Sequence, residues 1–98
     1  MDYEVRQTDE FEAWLDGLAD AIGKEAIATR ILRVQRGLFG DSGPVGGNVS
    51  ELRVHVGPGY RAYYTVRGRT IVFMLCGGDK STQKKDIKKA KDIAAQLE

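Results

Sequence analysis

An α+β fold is the class this sequence predicts: an N-terminal strand and a helix hairpin packed on an antiparallel sheet, closed by a C-terminal helix. Three observations lead there. Apolar residues keep helical spacing across residues 11–34, three β-rich runs separated by glycine-containing turns follow across 49–76, and helical spacing returns after residue 81. At 98 residues with 42% hydrophobic content the chain can bury one core and not two, so a single domain over 1–98 is expected.

At the N-terminus YEVRQT, residues 3–8, alternates as a short strand does, and Asp9 with Glu12 has the form of a capping box. Phe11, Trp14, Leu15, Leu18 and Ile22 then make an apolar stripe facing a core, with Glu10, Asp16 and Asp20 turned away, and Gly23 is expected to end this helix. A second helix spans Lys24 to Arg36, with Ile27, Ile31 and Val34 inward and Arg30, Arg33 and Arg36 outward. The stretch GLFGDSGPVGG, residues 37–47, carries five glycines and a proline and reads as a loop.

Val49 to Val56, Tyr60 to Val66 and Thr70 to Cys76 are rich in β-branched and aromatic residues and are separated by GPG and RGR, the pattern of an antiparallel meander. The run IVFML, residues 71–75, predicts a strand buried on both faces. Cys76 is expected to pack as a small buried side chain, and Gly77 and Gly78 to let the strand turn closely into the helix. Ser81 is placed to cap that helix, whose apolar face is Ile87, Ala90, Ile93, Ala94 and Leu97 and whose other face is mostly lysine.

Several function classes are set aside by composition. No apolar run approaches the length of a membrane span and the N-terminus lacks the pattern of a signal peptide, so a cytoplasmic protein without membrane association is expected. Cys76 is the sole cysteine and His55 the sole histidine, which excludes an internal disulfide and a Cys/His zinc centre within one chain; no metal or cofactor is expected. Residues 1–25 hold eight acidic and two basic residues, and residues 26–98 hold six acidic and thirteen basic, which predicts two electrostatic faces.

A polar row runs through the meander. If Gly57-Pro58-Gly59 is a three-residue connection, Val56 lies opposite Tyr60, Val54 opposite Ala62 and Leu52 opposite Tyr64 on one face. The other face then sets His55 opposite Arg61 and Arg53 opposite Tyr63, with Thr65 and Arg67 continuing the row. Cations gathered this way repel one another, so an anion is expected beside them. It could be a bound phosphate, or Glu51, Asp79 or a helix carboxylate, and the face could also lie open to water. Lys80 adds a further cation at the end of the sheet, and arginine and lysine beside tyrosine suit phosphate groups and unstacked bases.

The order helix hairpin, ELR, GPGYRxYY and GGDKSTQKKDI resembles the RelE/ParE superfamily of bacterial toxin proteins, in its HigB-like addiction module killer branch. The resemblance runs from FEAWLDGL, residues 11–18, to the last helix, and GGDKSTQKKDIKKA at 77–90 is its most specific segment. It implies a RelE-like fold and a type II toxin that cleaves translated mRNA, typically on the ribosome, without metal or cofactor. It also implies a cognate helix-turn-helix antitoxin encoded alongside. On the matching positions it implies Arg53 and Arg61 in phosphate binding and transition-state stabilisation, and Lys80 as phosphate ligand or proton carrier. His55, whose ordinary pKa is near neutrality, and Tyr63, able to stack on a base or donate its hydroxyl, complete the catalytic candidates. Arg67, Gln83 and Lys84 are candidates for contacts to RNA phosphates. The chain has no cluster of histidines and no tyrosine near its C-terminus, so the identity of the acid and base is open. Two other readings stand beside this one: a ParE-like, non-enzymatic inhibitor of DNA gyrase, and an RNA-binding relative without activity that uses Lys84, Lys85, Lys88, Lys89 and Lys91.

Overall fold

The computed structural model of the chain describes residues 2–97. In chain order the elements are β1 (Glu4–Gln7), α1 (Asp9–Asp16), α2 (Ala21–Gln35), β2 (Ser42–Gly46), β3 (Val49–Val54), β4 (Tyr60–Arg67), β5 (Ile71–Asp79), a single 3-10 turn (Lys80–Thr82) and α3 (Gln83–Gln96). The strands make one sheet in the order β1-β5-β4-β3-β2. The α+β class and its C-terminal helix are as the sequence predicts. The sheet is mixed, because β1 joins its edge parallel to β5 while the other neighbours are antiparallel.

One core lies on each side of the sheet. Phe11 of α1 and Ile27, Ile31 and Val34 of α2 pack on Leu52, Val54, Ala62, Val72 and Met74. On the other side Ala90 and Ala94 of α3 pack on Val49, Tyr63, Leu75 and Cys76, so the cysteine is buried as expected. Cys76 is 2% exposed, and burial pushes its thiol up to about 12, which makes it unreactive in the folded state. The centre of β5 is buried on both faces, with Met74 serving one core and Leu75 the other. A bulge lies here: Tyr63 pairs with Cys76 and Tyr64 with Met74, so Leu75 is the extra residue and both Leu75 and Cys76 turn to the α3 side.

The helix boundaries differ from those expected. Thr8, not Asp9, caps α1: its hydroxyl accepts from the Phe11 N–H at 3.1 Å and donates to the Leu75 carbonyl at 2.6 Å, tying the helix start to β5. Asp9, Glu10 and Glu12 follow in the first turn, where carboxylates suit the helix dipole. Helix α1 ends at Gly17, and α2 starts at Ala21 with Asp20 as its cap, accepting from the Gly23 N–H at 3.0 Å. Gly23 therefore begins a helix instead of stopping one, and its role is close approach: a Cβ there would lie 2.5 Å from the Tyr60 ring. Ile22 consequently leaves the apolar stripe of the first helix and is 72% exposed on α2. The acidic α1 and the arginine-bearing α2 share one layer of the fold, so the charge asymmetry of the sequence does not become two opposed faces.

The segment read as a loop contains β2. Its Ser42, Gly43 and Pro44 pair with Leu52, Glu51 and Ser50 through backbone hydrogen bonds that need no apolar side chains, which is why a glycine-rich edge strand escaped the periodicity. The β3–β4 connection runs over five residues, 55–59, instead of three, and the register is Val54 opposite Tyr60, Leu52 opposite Ala62 and Arg53 opposite Arg61. This differs from the expected register by two residues. An even shift keeps every side chain on its face, so the apolar and polar sets stay separated as predicted. Asp79, not Ser81, caps the turn that leads into the last helix, accepting from the Ser81 N–H at 2.8 Å.

Helix α3 covers the polar face of the hairpin, and Gly78 lets it come close. A Cβ at Gly78 would lie 1.8 Å from Oδ2 of Asp86 and 2.9 Å from Oγ1 of Thr82. Gly78→Ala is therefore expected to push the first turn of α3 off the sheet and to cost about 1–3 kcal/mol, read as a lowered urea midpoint.

Candidate functional site

Strands β3 and β4 bring Glu51, Arg53, Arg61 and Tyr63 to the face beneath α3, because residues two apart on a strand share a side. Glu51 is the anion that the row of cations calls for. It is 4% exposed, accepts from Arg53 Nε at 2.8 Å and from Gln83 Nε2 at 3.3 Å, and lies 3.7 Å from Arg61 Nε. Its alternation with Arg53 along β3 puts both side chains on one face and makes Glu51 legible as the counter-ion of the row.

Arg61 is 8% exposed and Tyr63 is fully buried. Arg61 makes one long hydrogen bond, 3.4 Å, to the Tyr60 carbonyl, while its Nε and the Tyr63 hydroxyl have no hydrogen-bond partner among the described residues. Burial first, then the negative charges of Glu51 and Asp86, raise the Tyr63 pKa far above its ordinary value. The hydroxyl thus stays protonated and can donate a hydrogen bond but cannot serve as a base. A fully buried ring is also not placed to stack on a base in this conformation.

Lys80, Gln83 and Lys84 line a shallow depression of about 390 Å³ with Ser81 and Ile87 at the N-terminal end of α3. Thr82, the residue preceding α3, makes no side-chain capping bond; its hydroxyl instead donates to Asp86 at 2.5 Å. The first-turn N–H groups and the two exposed lysines form a corner at the start of α3, alongside Asp79 and Asp86, and Arg61 lies on β4 opposite Gly78. Gln83 joins the two levels, since it lines the depression and bonds the buried Glu51.

His55 and Arg67 lie apart from this corner, and Arg53, opposite Arg61 on β3, links Glu51 to Asp41. Arg53 runs alongside β2 to Asp41, donating to Oδ1 at 2.9 Å, and His55 lies 2.6 Å from Oδ2 of the same carboxylate. His55 follows the end of β3, is exposed, and does not sit opposite Arg61. Hydrogen bonds from His55 and Arg53 hold the Asp41 carboxyl below its ordinary pKa. Arg67 is farther still: it donates to the Ala94 carbonyl at 2.7 Å and so caps the last turn of α3. Asp41 is the carboxylate that periodicity does not reveal, because it sits in the connection before β2.

Two substitutions separate structure from chemistry here. Glu51→Ala leaves the buried Arg61 charge without a partner and is expected to cost about 3–5 kcal/mol in urea unfolding. Tyr63→Phe removes an unpartnered buried hydroxyl and is expected to leave stability unchanged or raise it by about 1 kcal/mol, so any loss of activity in that variant would belong to the hydroxyl.

The family described as phage derived protein Gp49-like (DUF891) matches residues 13–97. An uncharacterised protein of Haemophilus influenzae is 44% identical over 97 residues, covering 99% of this chain and 98% of its own length. Among solved structures, a doubly substituted E. coli toxin RelE in the free state superposes with a TM-score of 0.75 at 15% identity, over 99% of this chain and all of that one. The chain has the fold of RelE, as the resemblance implied, and it belongs to the phage-derived Gp49-like family.

Proposed function

We propose that this protein is the toxin of a type II toxin–antitoxin pair, a metal-independent endoribonuclease that cleaves translated mRNA in the cytoplasm and is held inactive by a helix-turn-helix antitoxin. The observation that carries the reading is that Arg61 Nε and the Tyr63 hydroxyl, buried two residues apart on β4, make no hydrogen bond among the described residues, while Lys80 and Lys84 are exposed at the start of α3. Folding gains nothing from leaving two buried donors unbonded. A phosphodiester is a ligand that would use both the lysines and the buried charge. The likeness in fold to a protein titled as a toxin supports the same reading.

In this reading the ribose 2′-hydroxyl attacks the adjacent phosphorus, the 5′-oxygen leaves, and the proton taken from one is returned to the other. The chain must hold the phosphate, stabilise the extra negative charge of the transition state and manage that proton. Lys80 and Lys84 receive the phosphate oxygens at the mouth, helped by the start of α3. Arg61 acts from beneath, where exclusion of water strengthens its field. Glu51 is bonded to Arg53 at 2.8 Å and only approaches Arg61 Nε at 3.7 Å, so it offsets the Arg61 charge in part and leaves its Nε donor free. Tyr63 serves as a hydrogen-bond donor to the developing charge. Gln83 positions the mouth relative to Glu51, and Arg53 holds Glu51 in place. His55 and Arg67 lie outside the corner and act, respectively, at the sheet edge and in holding α3.

Lys80 is exposed, so its loss tests chemistry without disturbing the fold. In a reconstituted translation reaction with one defined message, Lys80→Ala is expected to lower the cleavage rate about 10²-fold with an unchanged melting temperature. Equal cleavage by the variant and the wild type would remove the lysine from the mechanism. Growth arrest by the wild type with intact messages would favour the gyrase-inhibitor alternative.

A further inference from the structure

A second concavity lies away from the corner just described. A groove of about 520 Å³ runs between α2 and the end of β3, with Ile22, Ala26 and Thr29 on one wall and Val54 and Val56 on the other. Ile22, an apolar side chain that the fold leaves 72% exposed, stands at its mouth. The cationic end of the groove is formed by Arg30 and Arg33, with Arg53 and His55 already committed to Asp41.

The charge of this surface is not balanced from within. Arg30 spends its donors on three carbonyls, those of Phe39, Asp41 and Arg53, which satisfy its hydrogen bonds and leave its charge in place. Among the described residues, Arg30, Arg33 and Arg36 make no ion pair. Residues 21–36 contain four basic residues, Lys24, Arg30, Arg33 and Arg36, against Glu25 alone. Along the outer face, Ile22, Glu25, Thr29, Leu32 and Arg36 follow steps of three and four residues, and Leu32 is 60% exposed. That spacing is the seam of a helix that packs lengthwise on another.

We propose that this groove is the docking site of an acidic, amphipathic helix from the antitoxin, about three turns long and lying along α2. Its apolar residues cover Ile22, Ala26 and Val56, and its carboxylates face Arg33 and Arg36. Nucleic acid is the poorer fit, because it would leave the apolar wall of Ile22, Ala26, Val54 and Val56 uncovered. The proposal rests on the toxin–antitoxin reading for the existence of the partner. It adds that the partner binds beside α2 and not over the corner at the start of α3.

The test uses the full-length chain and the helix-turn-helix protein co-expressed with it from the neighbouring reading frame. Hydrogen exchange of the complex is expected to slow in 21–36 and 54–56. The double variant Ile22→Asp with Arg33→Glu is expected to bind at least about 100-fold more weakly, while circular dichroism and cleavage of free message stay as in the wild type. Protection confined to α3 and the corner, unchanged affinity of the double variant, or slowing that arises instead from a dimer of this chain would each overturn the proposal. Failure to form any complex would overturn it too. The cleavage assay, which needs no partner, then reports separately on the ribonuclease reading.

Discussion

A carboxylate taken out of water has to be matched by cations and donors, and Glu51 imposes that requirement on much of this structure. Its two oxygens engage Arg53 from the same strand and Gln83 from α3, with Arg61 of β4 within ion-pairing distance. Arg53 carries the chain onward to Asp41, which lies just before β2. One buried charge thus connects β3, β4, the approach to β2 and the start of α3. Such a group adds little net stability compared with apolar packing, but it fixes where its partners can be. Arg61 is held beneath the helix by this arrangement, with a donor left over.

The central strand makes the arrangement possible. β5 passes between α1 and α3, feeds Met74 to one core and Leu75 to the other, and turns both Leu75 and Cys76 toward α3 through a bulge. Its glycine at residue 78 then admits Asp86 and Thr82 close to the sheet. The helix whose lysines face solvent is in this way brought down over arginine and tyrosine. Its start, where the dipole is positive, meets the end of the polar row. The two helices on the opposite side leave a different surface, apolar and arginine-rich, with no counterpart among the described residues. The proposed chemistry at the α3 corner and the proposed partner binding beside α2 would thus fall on separate parts of the fold.

Most of the fold was legible in the sequence because burial imposes periodicity. The two helix patterns, the three strands and the last helix all left one, and the separation of apolar from polar residues in the hairpin survived a two-residue error in register because side chains alternate strictly. What was missed left no periodic trace. β2 is held by backbone pairing among glycines and proline. Thr8 and Asp9 are adjacent residues of nearly equal capping strength, and a contact to Leu75 decides between them. Gly23 is a contact glycine for Tyr60, which only tertiary structure reveals. At the site, the row containing Arg53, Arg61 and Tyr63 was visible, but its cover was not. An amphipathic helix declares that it has an apolar face without saying which surface that face meets. Hence, of the alternatives left open for the cationic face, the structure shows closure by α3 and partial neutralisation by Glu51, and Arg67 is drawn to the far end of that helix.

The measurement that bears most directly on this account is the map of mRNA 5′ ends in cells producing the protein, set against cells producing Arg61→Ala at the same level. The account predicts new ends inside translated frames with the wild type and their disappearance with the variant. Wild-type expression that arrests growth while messages stay whole, or identical ends from both proteins, would contradict the assignment of ribonuclease chemistry to the corner beneath α3.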